Sequence, residues 1–221
     1  MTVPYGATLV GMADGLMEHL SAVPEEQRRK VAFDFAKAIV ETLEALYPKV
    51  GEAARWITST ARKVAATGHD LAWTTPSGFF VSQRYRTRIM KRVRVRVADR
   101  LQVEVAVGQS TDTIEKRASA TGSVPNVLQS LDAAHMHKVA SRAAAANIPM
   151  ASIHDCFAFH PNAADAMGRI IRETFIETHA KPFLGAIHAE AQRITGLELP
   201  PPPDRGDLDL REVLGNPFFF S

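Results

Sequence analysis

A mainly helical α+β fold is what this sequence of 221 residues predicts, and three features carry the prediction. Long stretches place apolar residues at helical spacing, which calls for amphipathic helices packed on a core. One segment, Arg92-Val-Arg-Val-Arg-Val97, alternates strictly and is answered by Leu101-Gln-Val-Glu-Val-Ala-Val107, the period of two expected of an antiparallel ribbon. A third, Pro149-Met-Ala-Ser-Ile-His-Asp-Cys-Phe-Ala-Phe-His160, reads as a short hairpin with His154 and Asp155 at its turn.

The chain is 46% hydrophobic, enough for one sizeable domain or two small ones. No apolar run approaches the ~18 residues that a membrane helix needs, and the N-terminus lacks the layout of a secretory signal. The single Cys156 excludes an internal disulfide and suits a reducing cytoplasm. A net charge of +2 argues against a globally basic protein, yet eight of the seventeen residues from Arg84 to Arg100 are Arg or Lys.

A Pro4-Tyr-Gly turn leads into a first helix near Leu9–Leu20. Pro24 with Glu25 and Glu26 opens the next, since proline and acids suit a first helical turn. Its inner face is predicted as Val31, Phe35, Ala38, Ile39, Thr42 and Leu46, and Pro48 ends it. A third helix follows, with Val50, Ala53, Ala54, Ile57, Ala61 and Val64 inward and Gly68 as its stop, antiparallel to the second. Leu71–Thr75 and Phe79–Tyr85 then form strands around Pro76-Ser-Gly78.

The basic ribbon comes next, its valines on one side and Arg92, Arg94 and Arg96 on the other, with Arg100 near its turn. Such a surface can enter a major groove or track a phosphate backbone; a solvated, charge-protected edge is the alternative. A helix from Asn126 to about Ala146 puts Leu128, Leu131, Asp132, His135 and Val139 on one stripe. Polar groups on such a stripe must be hydrogen-bonded or serve a site.

In the hairpin, Met150, Ala151 and Ile153 form a buried strand and Cys156, Phe157 and Phe159 the return, holding Asp155 at a solvent-facing tip. A carboxylate so held can ligate a metal, although a catalytic Mg²⁺ site takes more than one acid. Asn162 caps a following helix whose inner face is Met167, Ile170, Ile171 and Phe175. A further helix runs from about Pro182 to Gly196, before the stiff Leu199-Pro-Pro-Pro-Pro-Asp204, a short helix Asp207–Leu214 and the tail Phe218-Phe-Phe-Ser221, which is expected to fold back.

Three separated blocks, Ser130-Leu-Asp-Ala-Ala-His-Met136, Ser152-Ile-His-Asp-Cys-Phe157 and Leu208-Asp-Leu-Arg-Glu-Val-Leu214 with Phe218-Phe-Phe-Ser221, resemble in order and spacing the C-terminal part of the single-subunit RNA polymerases of bacteriophage and mitochondrial type. Met1-Thr-Val-Pro-Tyr-Gly6 resembles the end of that family's fingers helix. The resemblance implies a DNA-directed RNA polymerase portion with a palm-type catalytic β-hairpin. Within residues 1–221 it marks 88–109 as a DNA-reading hairpin, 126–160 as palm helix and catalytic hairpin, and 207–221 as a C-terminal foot.

It further implies that Asp155 is one of two catalytic metal-binding aspartates, with His154 its neighbour in the motif. Tyr5, beside Gly6, would sense the sugar of the incoming ribonucleoside triphosphate, and His135 would contact the primer–template end. Two Mg²⁺ ions, a DNA template and an RNA product belong to that chemistry.

The family's other aspartate lies upstream of its Tyr-Gly. The expectation is therefore the smaller subunit of a split enzyme, inactive without an upstream polymerase chain, or the remnant of an integrated phage gene, phage- or prophage-encoded in a bacterial cytoplasm. A family A DNA polymerase fragment is one alternative, weakened because its metal turn usually reads His-Asp-Glu. A non-catalytic DNA-binding protein using only the basic ribbon is the other.

Overall fold

In the computed structural model, which describes residues 7–98 and 101–219, six helices and three separate two-stranded antiparallel sheets follow one another among the described residues. Helix α1 (Leu9–Met17) is capped by Thr8, whose Oγ1 accepts from the Gly11 amide at 3.1 Å. It packs on α2 (Glu25–Leu46), and α3 (Pro48–Ala66) follows after the single residue Tyr47, with Pro48 in its first turn.

The face predicted for α2 is not the one it buries. Ala32 and Ala36 are enclosed against Met12, Leu16, Met17 and Leu20, whereas Phe35, Ile39 and Leu46 stand in solvent. Small side chains let α1 approach closely, so the contact selects alanines over the larger apolar residues. Nor do α2 and α3 form the expected pair: α2 rests chiefly on α1, and α3 on α4.

On α3, Ile57, Ala61 and Val64 are buried as predicted, joined by Trp56, Thr60 and Ala65, while Val50 is exposed. They meet Leu71 and Trp73 from the strand pair β1 (Ala72–Thr74) and β2 (Phe80–Ser82), and Val127, Ile187, Ala191 and Leu199 from downstream. The proline connector is part of this main core. Trp56 Nε1 donates to the Pro200 carbonyl at 2.9 Å, and His188 Nε2 donates to the Leu199 carbonyl at 2.9 Å.

Strands β3 (Arg86–Ala98) and β4 (Leu101–Ile114) form the ribbon, far longer than the alternating segments alone mark out. β4 passes through one residue, Glu115, into α4 (Lys116–Ala145), whose first turn Glu115 caps by accepting from the Arg117 amide at 3.2 Å. The predicted start at Asn126 is a full ten residues late, because the helix continues through Pro125. A proline there removes one backbone bond and crowds the preceding turn. Tertiary ties on both sides of it hold the helix: Gln83 Nε2 donates to the Ser119 carbonyl, and Asn126 Nδ2 to Tyr85 Oη.

A second, smaller core lies where Val139 and Ala143 of α4 meet Met167 and Ile171 of α5 (Ala164–Ala180). A 3₁₀ turn, Pro161–Ala163, precedes α5, so Asn162 does not cap it. Thr174 and Thr178 are fully buried; each hydroxyl donates to the carbonyl four residues earlier at 2.7 Å. Helix α6 (Phe183–Thr195) ends on Gly196 at φ +67, a left-handed cap that glycine adopts without penalty.

Truncating Met167, which is fully buried beneath the hairpin, should cost about 2–5 kcal/mol. Urea denaturation of Met167→Ala should show that loss, against an unchanged midpoint for Phe218→Ala, whose side chain is 81% exposed.

Candidate nucleotidyl-transfer and nucleic-acid site

The Pro149–His160 segment forms the predicted hairpin. β5 (Met150–Ile153) pairs antiparallel with β6 (Cys156–Phe159), Ile153 facing Cys156, so that His154 and Asp155 alone make the turn. A two-residue hairpin turn that follows strand twist needs positive φ at its first central residue, and His154 sits at φ +55. Histidine tolerates this region better than most side chains.

The strands are not buried as expected. Only Met150, Phe157 and Phe159 reach the second core, from its edge, while Ala151, Ser152 and Cys156 are exposed and Ile153 is 76% exposed. A lone two-stranded sheet has one supported face, and this one offers its other face and its tip to solvent.

Asp155 therefore stands at an exposed tip, its carboxylate open to an approaching ligand; the Cys156 thiol lies 4.0 Å from Oδ1. It suits a metal as one ligand, not as a complete set: among the described residues no group of three or more His, Cys, Asp or Glu side chains could hold an ion.

Beneath the hairpin, His135 is 6% exposed. Its Nε2 donates to the Ile171 carbonyl at 3.0 Å, and the ring is edge-on to Phe157 at 6.1 Å and Phe175 at 5.8 Å. Burial depresses its pKa, opposed by the bond to Ile171. His135 therefore sits inward, beneath the hairpin and against α5. Asp132, predicted on the same buried stripe, is exposed.

The aromatic column continues outward from Phe175 to His179 at 4.2 Å and to Phe219 at 4.9 Å. Phe219 shows that the tail does fold back, although Phe218 points to solvent. Arg172 secures the return: Nε donates to the Val213 carbonyl at 3.1 Å, and Nη2 to the carbonyls of Asn216 at 3.0 Å and Phe219 at 3.3 Å. Sequence reading missed Arg172; an arginine on the inner side of a helical pattern was its only signal.

In the ribbon, Arg92 faces Ala106, Arg94 faces Glu104 and Arg96 faces Gln102, so the three arginines share one surface, as predicted. All three are exposed, and Arg94 Nε is 3.1 Å from Glu104 Oε1, a surface pair of small net worth. The opposite surface, with Val93 and Val95 facing Val105 and Val103, is also solvent-exposed. The ribbon thus projects away from the cores. Tyr5, Gly6, Arg100, Phe220 and Ser221 lie outside the described residues.

A projecting basic ribbon and a carboxylate-tipped hairpin are thus joined by one helix. The family model for DNA-dependent RNA polymerase matches residues 1–195, and the chain belongs to that family, in its phage-type single-subunit branch. The whole chain is 32% identical to the mitochondrial DNA-directed RNA polymerase 1 of Nicotiana sylvestris, covering 22% of that protein. It is 31% identical to the chloroplastic/mitochondrial DNA-directed RNA polymerase 2 of Arabidopsis thaliana, covering 22%, and 33% identical to the chloroplastic DNA-directed RNA polymerase 3 of Nicotiana sylvestris, covering 23%.

The chain thus spans about a fifth of the length of these relatives. The family A DNA polymerase alternative is set aside. Relatives named for organelles give no support to a phage or prophage source, and no described helix is long and apolar enough to cross a membrane.

His179 and His135 predict an acid-sensitive second core. Burial first, and the charges of His135 and Arg205 next, push His179 down from 6.5 to about 4. The unfolded chain therefore binds more protons between about pH 6.5 and 4, and stability falls as pH drops through that window, levelling off below it. Urea midpoints measured from pH 7 to 4 should decline less steeply in His179→Gln than in the parent.

Proposed function

We propose that this chain is a C-terminal catalytic portion of a DNA-directed RNA polymerase, adding ribonucleotides to an RNA 3′ end on a DNA template by two-metal nucleotidyl transfer. The observation that carries the reading is the His154-Asp155 turn, which presents one unobstructed carboxylate on a two-residue hairpin above an aromatic seat. The family names of the relatives support the same chemistry.

On this reading residues 1–221 form a fingers/palm region. Residues 126–160 are its palm helix and catalytic hairpin, 88–109 a hairpin that reads DNA, and 207–221 a foot. Asp155 serves as one Mg²⁺ ligand. Bound divalent metal would activate the attacking hydroxyl and stabilise the leaving pyrophosphate. His154 shapes the turn, and its positive φ aims the carboxylate.

His135, seated under Phe157, serves the primer–template end. Tyr5 and Gly6 meet the sugar of the incoming triphosphate. Arg92, Arg94, Arg96 and Arg100 bind the nucleic-acid backbone, whose phosphates such a row complements.

The remaining metal ligands come from polypeptide equivalent to the upstream part of the relatives, whether in the same chain or in a partner subunit. In keeping with it, the described residues hold no group of three or more His, Cys, Asp or Glu side chains that could hold an ion. The single exposed thiol, Cys156, fits a reducing compartment, a bacterial cytoplasm or an organelle matrix alike.

Primer extension with Mg²⁺ and ribonucleotides should require the upstream polypeptide, and extension by the 221-residue chain alone would sink the partner requirement. In the reconstituted enzyme, Asp155→Asn should abolish extension while DNA binding persists; retention of extension would leave only the DNA-binding reading. Replacing Arg92, Arg94 and Arg96 with glutamine should weaken binding to duplexes of any sequence. It should also flatten the dependence of log K on log salt by up to about 2.7, roughly 0.9 for each lost phosphate contact.

A further inference from the structure

The foot of the ribbon is tied to α4 more firmly than strand continuity requires. Three residues before β3, buried Gln83 donates from Nε2 to the Ser119 carbonyl at 3.0 Å, and its backbone N–H donates to the Leu71 carbonyl at 2.9 Å. Tyr85 follows, with its hydroxyl accepting from Asn126 Nδ2 at 3.2 Å and its carbonyl accepting from the Glu115 amide at 3.0 Å. Arg86 then forks onto the Asp70 carboxylate at 2.5 and 2.7 Å.

The Tyr85 ring can lie there only because residue 122 is glycine. A Cβ at Gly122 would collide with Tyr85 Oη and meet Cζ at 2.8 Å, closer than such atoms approach. The return strand enters α4 through Glu115, so both strands of the ribbon are pinned at the first third of one helix.

Beyond the root, the ribbon has nothing to lean on. Among the described residues both of its surfaces are exposed from Ile89 to Arg96 and from Gln102 to Val107, where the two strands pair with each other. An isolated two-stranded sheet is flexible about its root, so the direction of the arginine row is decided where the root meets α4.

We propose that Tyr85, seated on Gly122, is a positioning residue that sets the angle of the basic ribbon on α4 and so aims Arg92, Arg94 and Arg96 at their nucleic acid. The aiming role rests on the nucleic-acid reading of the ribbon; the angular lock itself does not. Tyr85→Phe loses the tie to Asn126 but keeps the ring, whereas Gly122→Ala expels it.

The lock is read by distances between spin labels on the full chain, at Val103→Cys in the ribbon and Gln129→Cys in α4, with Cys156→Ser to remove the native thiol. The parent should give one narrow distance distribution, broadened by Tyr85→Phe and both broadened and shifted by Gly122→Ala. Distributions that stay as narrow in Tyr85→Phe as in the parent overturn the proposal, and this variant decides the matter even where Gly122→Ala fails to fold.

Duplex DNA binding then tests the aim. Tyr85→Phe should lower affinity by about threefold, the ordering cost of roughly one interface side chain, with the salt slope unchanged because no phosphate contact is deleted. A changed slope with unchanged affinity would make Tyr85 a contact residue and overturn the positioning role. If the parent itself does not bind DNA through the ribbon, the functional reading of the ribbon falls while the label distances still judge the lock.

Discussion

Helix α4 is the constraint on which the other elements depend. Its thirty residues must stay helical through a proline that removes one backbone bond, and they do so because both flanks of Pro125 are held from outside. Val127 belongs to the main core with Trp73 and Ile187, while Val139 and Ala143 belong to the second core with Met167. No other described helix enters both. Trp73 adds a polar tie to the same helix, its Nε1 donating to Ser130 Oγ at 2.9 Å. The separation of ribbon root from the carboxylate-tipped hairpin is thus a length of rigid helix: from Asn126 to His135 it is on the order of 14 Å at the rise of an α-helix.

The elements readable in the sequence were those with an unambiguous period or a fixed turn. The Arg/Val alternation set the ribbon's facing surfaces correctly, because a period of two leaves no freedom in which side chains share a face. The hairpin register was likewise legible, since Ile153 and Cys156 bracket a turn that admits just two residues. Burial was less legible. On α2 the sequence offers two apolar faces, one of large residues and one of alanines, and the choice was made by how near α1 could come. The two buried threonines of α5 were hidden for a related reason: their hydroxyls are satisfied by their own helix, so they pack as small apolar groups.

Within the site, the legible part was the carboxylate and the illegible part was its support. Asp155 is marked by its place in a turn, whereas the role of His135 depends on α5, which lies 36 residues away in sequence at the Ile171 carbonyl. The sequence places His135 on an apolar stripe, which is correct; only the fold shows that the ring lies against Phe157 and Phe175. Arg172 was missed for the same reason, because a helix position alone does not disclose that three tail carbonyls will converge on one guanidinium.

The electrostatics of the two working surfaces differ in a way that matches their separate roles. The hairpin tip carries an exposed carboxylate, which Mg²⁺ would neutralise when bound. The ribbon carries its cations on a two-stranded sheet with no low-dielectric support, where each charge stays hydrated and costs little to keep. Exposed arginines in that position hold the fold together very little, and Arg94 with Glu104 is their one short ion pair among the described residues. Their concentration on one face is thus better explained by what the face meets than by stability. The ion pairing that does stabilise lies at the root, where Arg86 and Asp70 are largely enclosed and matched in a two-point fork. Charge that fixes the ribbon and charge that reaches outward are segregated along β3, the first at its foot and the second along its free length.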